Sequence, residues 1–245
     1  MKLSSQERSA RQKAFRQMKP ADKLEYLYTY YKVPAVLILI AAIILGSGIY
    51  RRLTQKDTLL NCACVNVSVG QDLECKLNQA YADFTGAGAQ KAEVLFYRDL
   101  YLSNDPAGEN HEYAYASRMK IMAAINSKEL DVVLMNQEAY DVMSGSGYLL
   151  ELPEVLKQQD GLYEQAKPYL VTNSVILEDN SVEYNLNQAE EYLEITENAV
   201  NGIEVSSLPA FQKAGFSGNV YLGIIANTPR LSGCLNYIAY LISIS

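Results

Sequence analysis

The sequence predicts an α/β fold with a doubly wound, mainly parallel sheet, preceded by one transmembrane helix. Three observations carry this expectation. Beyond residue 58, short apolar runs alternate with amphipathic stretches as strand, helix, strand, helix, strand, helix, the pattern of a sheet whose right-handed crossovers place helices on both faces. Ahead of it, Val33–Tyr50, "VPAVLILIAAIILGSGIY", is eighteen residues without a charge; at 1.5 Å per residue it covers roughly 27 Å of a hydrocarbon core about 30 Å thick. Charge is also partitioned. Residues 1–32 carry eight Lys/Arg against three Asp/Glu, whereas residues 53–245 carry eleven against twenty-five, a balance of −14.

The chain divides accordingly. Residues 1–32 form a basic cytoplasmic tail, 33–50 the membrane helix, 51–58 a juxtamembrane linker and 59–245 an extracytoplasmic domain. Tyr26, Tyr28, Tyr30 and Tyr31 make an interfacial aromatic belt, with Lys32 snorkelling. Lys2, Arg8, Arg11, Lys13, Arg16, Lys19 and Lys23 join Lys32 on one side, against Arg51, Arg52 and Lys56 on the other, so the positive-inside rule keeps the N-terminus cytoplasmic. The leader is too long and basic for a cleaved signal peptide, and no small-x-small site follows the apolar run. "LLNC" at Leu59–Cys62 is not a lipoprotein box, because Asn61 stands where a small residue belongs.

Within the domain, 59–69 reads as a strand buried on both faces. Residues 71–84 read as a helix with Leu73, Leu77, Ala80, Tyr81 and Phe84 on one face, and 91–102 as the next strand. A second helix, 112–129, brings Tyr115, Met119, Met122 and Ile125 near one face; a strand follows at 131–135, then a helix at 137–147 that stops at glycines. A brief strand at 148–152 precedes a helix at 153–170 with Pro153 in its first turn. The pattern then changes to a hairpin around "EDNS" at 178–181, a strand with a short helix up to 218, a strand at 219–227 and a closing helix. Thr228 is the expected N-cap of that helix, Pro229 its first residue, and Leu231, Leu235, Ile238 and Ile242 its stacked face. Residues 153–218 are the stretch available for a small second lobe.

A balance of −14 repels polyphosphate, so nucleic acid is excluded as a partner of the domain. Cys62 and Cys64 are two apart and share one strand face. With His111 the lone imidazole they make a poor zinc site, and no metal is expected. The four cysteines read as small buried hydrophobes, with a Cys62–Cys234 or Cys64–Cys75 disulfide left open outside the cytoplasm. No nucleophile elbow or phosphate loop occurs, and "SGSG" follows its helix instead of preceding it, so no catalytic residue and no cofactor is expected. Asp131 opens "DVVLMNQEAYD" at a strand start. It is expected to pair locally with Lys128 and to do no chemistry. Functional groups of open α/β sheets collect at the carboxyl ends of strands. Those ends supply the candidate ligand-binding residues Ser68, Gly70, Arg98, Asn136 and Gln137. Asn136 also fits as a helix cap, and Arg98 as a surface ion pair with Asp99 or Asp105.

"KELDVVLMNQEAYDVMSGSGYLLELPEVL" resembles the segment of type 2 periplasmic-binding-protein-like domains, the extracellular solute-binding proteins, in which a strand beginning D-[VI]-V leads to a short helix and G-x-L-x-x-L. "NVYLGIIANTPRLSGCLNYIAYL" is similar to the late strand and helix by which such chains return to their first lobe, and the anchored N-terminus resembles membrane-anchored proteins of Gram-positive anaerobes. The resemblance implies a non-enzymatic, membrane-tethered domain that binds a small ligand or serves as a sensor or accessory subunit. The short second lobe and nineteen tyrosines without a tryptophan point alternatively to such a fold kept for contact with an envelope protein.

Overall fold

The computed structural model describes residues 33–34, 36–48, 50, 56–103, 111–180 and 194–244. Two compact units result, Met1–Gln55 and Lys56–Ser245. In the first, residues 36–48 are helical and every one is exposed. Among the described residues no helix is long and apolar enough to cross a membrane. The expected span at 33–50 includes residues 35 and 49, and these lie outside the described residues, as do the tail 1–32 and most of the linker.

The second unit is an α/β domain built on one six-stranded open sheet. Its strands are β1 (Asp57–Val65), β2 (Ala92–Leu100), β3 (Val132–Met135), β4 (Leu170–Asp179), β5 (Glu194–Glu204) and β6 (Tyr221–Ile224), in the order β2-β1-β3-β6-β5-β4. Both neighbours of β1 pair with it in parallel, while β6, β5 and β4 join through antiparallel pairs. The parallel half matches the expectation. The antiparallel half arises because β6 returns beside β3 in the reverse sense and β5 then runs against it.

Strand alternation divides the core between the two faces. Leu60, Cys62, Cys64, Val132, Leu134, Leu222 and Ile224 turn to one side. There they meet a helix that runs Gln71–Cys75, widens to a π turn over Lys76–Ala80 and resumes over Tyr81–Phe84, together α1. On the same side lie α4 (Leu152–Leu156), α5 (Leu162–Ala166), α6 (Pro209–Gln212) and α7 (Leu231–Ser243). Ala63, Val65, Val133, Met135 and Tyr221 turn to the other side, against α2 (His111–Asn126) and α3 (Gln137–Gly145). Helices therefore cover both faces, as the alternation of elements predicted.

Tyrosines join α1 to α7. At the π turn the hydroxyls of Tyr240 and Tyr237 donate to the carbonyls of Lys76 (2.8 Å) and Leu77 (3.2 Å). Tyr81 donates in the opposite direction to the Gly233 carbonyl (3.3 Å), its ring edge-on to Tyr237 with centroids 4.8 Å apart. Backbone acceptors of the widened turn are thus satisfied by side chains instead of water.

Several boundaries differ from expectation. Residues 148–152 give only a single bridge, Leu149 to Ile225. The helix expected over 153–170 is α4, a turn with Gly161 in the left-handed region, α5 and a short 3-10 turn. The hairpin partner of β4 is β5 at Glu194–Glu204, and residues 181–193 lie outside the described residues. The closing helix begins at Leu231 with Arg230 as its N-cap, not Thr228. Among the described residues of 153–218, β4 and β5 extend the same sheet within the same compact unit and form no separate lobe. On α2 the expected stripe is only in part the core stripe: Ile125 is buried, with Ser117, Ile121 and Ala124, Met122 is half-buried, and Tyr115 and Met119 are exposed.

All four cysteines are free, with Cys62, Cys64 and Cys234 buried and Cys75 exposed. Burial, helped by the nearby Asp131 charge, pushes the Cys234 thiol from 9.0 up to about 12. The unfolded chain loses that proton near its ordinary value while the folded chain keeps it, so this contribution to stability is complete below pH 9 and lost between pH 9 and about 12. Alkylation of the folded chain at pH 8 should label Cys75 and spare the buried three, as read by peptide mass spectrometry. Alkaline titration should lower the denaturation midpoint across that window, and less so in Cys234→Ala.

Gly202 on β5 sits against α3, where an added Cβ would lie 2.6 Å from Tyr140 Oη and 2.9 Å from Val171 Cγ2. Gly202→Ala should cost about 1–3 kcal/mol of stability by overpacking, measured as a shift in urea midpoint.

Candidate functional site

Parallel pairing of Val65 with Met135 brings the carboxyl ends of β1 and β3 side by side. Antiparallel pairing of Met135 with Tyr221 then delivers the loop leading into β6 to the same edge. The segments Asn66–Ser68, Asn136–Gln137 and Ala214–Val220 enclose an open groove of about 480 Å³. Ser68, Asn136 and Gln137 from the sequence-derived set are all among its walls.

Each wall has a local cause. Asn66 takes a left-handed backbone (φ 57°). Its side chain then imitates a strand, accepting from the Leu102 N–H (2.9 Å) and donating to the Leu102 carbonyl (2.7 Å). That pair of hydrogen bonds turns the chain out of β1 and presents Val67 and Ser68 to the groove. Asn136 caps α3 as expected, its Oδ1 accepting from the Ala139 N–H (2.9 Å). Its amide NH2 has no partner among the described residues. Gln137 donates to Asp141 (2.7 Å), which also accepts from Asn173 on β4 (2.9 Å). Across the groove, Phe216 stacks on Phe211 of α6 at 6.2 Å and holds the loop down. Among the described residues no ionisable side chain lines the groove; its walls offer amides, hydroxyls and one aromatic ring.

Gly70 lines a separate, larger depression of about 790 Å³ between α1 and α6, together with Asp72, Lys76 and Lys213. It abuts the first groove at Ala214. Arg98 lines neither. It forms an ion pair with Glu74 on α1, not with Asp99, and Asp105 lies outside the described residues. Arg98 thereby links β2 to α1 through an exposed ion pair.

Asp131 departs furthest from expectation. It is fully buried and pairs with Arg230, 3.0 Å from Nη1 to Oδ2, and not with Lys128. The Thr228 hydroxyl donates to Oδ1 (2.6 Å) and the Asn61 N–H to Oδ2 (2.8 Å). Thr228 in turn accepts from the Arg230 N–H (3.1 Å). One carboxylate therefore joins β1, β3 and the start of α7, at the sheet edge opposite the groove. Asp131→Asn keeps the shape but removes the charge that faces Arg230, whose side chain is 36 % exposed. It should destabilise the domain by about 1.5–3 kcal/mol, the cost of weakening hydrogen bonds to a charged group. Chemical denaturation reads this directly, and a loss below 1 kcal/mol would refute the assigned role.

Sequence reasoning missed Asn66 and the whole 214–220 wall. The signal for the latter was the turn-rich "AGFSGN" before the last strand. A parallel β6 would have placed that loop on the opposite edge, and only the reversed strand brings it to the groove. Compared with known proteins, the chain matches no family model, no curated protein and no solved structure. Among the described residues, no three His, Cys, Asp or Glu side chains converge in a way that could hold a metal ion.

Proposed function

We propose that this chain is a membrane-tethered extracytoplasmic binding domain that takes a small, uncharged polar ligand in the groove at the carboxyl edge of its sheet. The observation that carries the reading is the convergence there of three segments lined by amides and hydroxyls, without an ionisable side chain among the described residues. Neutral hydrogen-bonding groups around one aromatic face suit a polyol, amide or short neutral peptide. The reading also draws on the likeness of the sequence at 128–156 and 219–241 to solute-binding proteins. With no second lobe among the described residues to close over it, the groove binds as an open surface. It is expected to hold a ligand weakly and to work as a sensor or accessory subunit. The tether rests on the exposed helical run 36–48, where Leu37, Ile38, Leu39, Ile43, Ile44 and Leu45 are all more than half exposed. A helix so apolar on every side is one that lipid, not water, surrounds.

The test is a ligand screen on the full chain in lipid nanodiscs, by ligand-observed NMR against neutral sugars, polyols, amides and di- or tripeptides. A binder should lose about tenfold in affinity on Gln137→Ala or Asn219→Ala, each removing a polar contact worth about 1–1.5 kcal/mol. Lys157→Ala, on the remote α4 side, should leave affinity unchanged. Binding that is indifferent to both groove substitutions would refute the site.

A further inference from the structure

Helix α2 is apolar on two sides. One side buries Ser117, Ile121, Ala124 and Ile125 in the core. The other presents Tyr115, Met119 and Ala123, spaced i, i+4, i+8 along one ridge, with Ala116 beside them; all four are exposed, Tyr115 by 62 % and Met119 by 50 %. No described segment of the chain covers this ridge. Water-facing helix positions ordinarily carry charged or polar residues, and a contiguous apolar stripe marks a contact surface.

We infer that the ridge docks a second copy of this chain, α2 against α2, antiparallel about a two-fold axis through Met119. The ridge is complementary to itself in that arrangement. Tyr115 of each copy faces the small Ala123 of the other, and the two Met119 side chains meet on the axis. Charge fits as well. Glu112 precedes the ridge and Lys128 follows it, and neither has an ion-pair partner among the described residues. The two-fold brings each Glu112 within reach of Lys128 of the other copy, whereas parallel packing sets like charges together. The domain is strongly acidic, so approach of two copies at an arbitrary surface is repulsive. Local pairing of opposite charges at both ends of an apolar seam gives this surface its selectivity for itself.

Disulfide trapping on the full chain in mild detergent tests this. The exposed Cys75 is first replaced by Ser, which leaves only buried thiols. In that background Met119→Cys should form a covalent dimer under mild oxidation about tenfold faster than Lys213→Cys, an exposed position away from α2, because docking raises the local thiol concentration. Glu112→Lys alone and Lys128→Glu alone should each slow trapping, and the two together should restore it. All of these positions are exposed, so folding is not at stake. Trapping at position 119 no faster than at 213, or a double charge reversal that fails to restore it, overturns the inference. A second copy would then not be the occupant, and a different protein or a lipid surface would take its place.

Discussion

The buried carboxylate of Asp131 is the constraint on which the rest of the domain depends. A charge with no solvent exposure is tolerable only where donors meet it on all sides, and here three donors come from two distant parts of the chain. Asn61 supplies a backbone N–H from β1, Thr228 a hydroxyl, and Arg230 a guanidinium at the start of α7. The carboxylate also lies at the amino end of α7, where the helix dipole favours a negative charge. The arrangement forces the chain leaving β6 to pass over the amino edge of β3 before α7 begins. That in turn requires β6 to run antiparallel to β3.

The two ends of the sheet consequently do different work. At the amino edge, charge, hydroxyl and backbone groups are consumed by one another. At the carboxyl edge the same reversal of β6 imports a glycine-bearing loop, and β1 and β3 end in asparagines that organise backbone. Asn66 bonds Leu102 at both its amide groups, and Asn136 spends only its oxygen on α3. A rigid frame with spare donors is what a binding edge requires, and the frame is rigid because the opposite edge is locked. The tyrosine bonds between α7 and the π turn of α1 carry that rigidity to the face beside the groove.

The sequence made the parallel half legible because each of its strands is a compact apolar run and each helix has a clear start or stop. The capping role of Asn136 and the shared face of Cys62 and Cys64 were readable for the same reason, both being set by local spacing. Orientation of β6 was not. Antiparallel and parallel strands buried on both faces look alike as sequence, and the discriminating feature is the bond between Asp131 and Arg230, ninety-nine residues apart. Periodicity failed differently on α2. The helix carries apolar residues around most of its circumference, and the larger ones, Tyr115 and Met119, suggested a core face. The core instead accepted the stripe of Ser117, Ile121, Ala124 and Ile125. Size alone misleads when a helix has two apolar faces, and the larger side chains were then left on the outside.

Charge placement bears on what the proposed groove would select. Beyond residue 53 the chain carries −14, yet among the described residues the groove itself is lined by no ionisable side chain. At physiological salt a field of that sign reaches only about 8 Å from the surface. It disfavours anions on approach and draws cations near. The groove reverses the second preference, because an ammonium group entering a neutral lining sheds water without gaining a carboxylate in return. Anions are turned away by the field and cations by desolvation, which leaves neutral polar molecules as the class that loses least on entry. Discrimination within that class then falls to hydrogen-bond geometry: a site that offers the amides of Asn136 and Gln137 penalises a ligand that leaves them unpaired more than it rewards one that matches them.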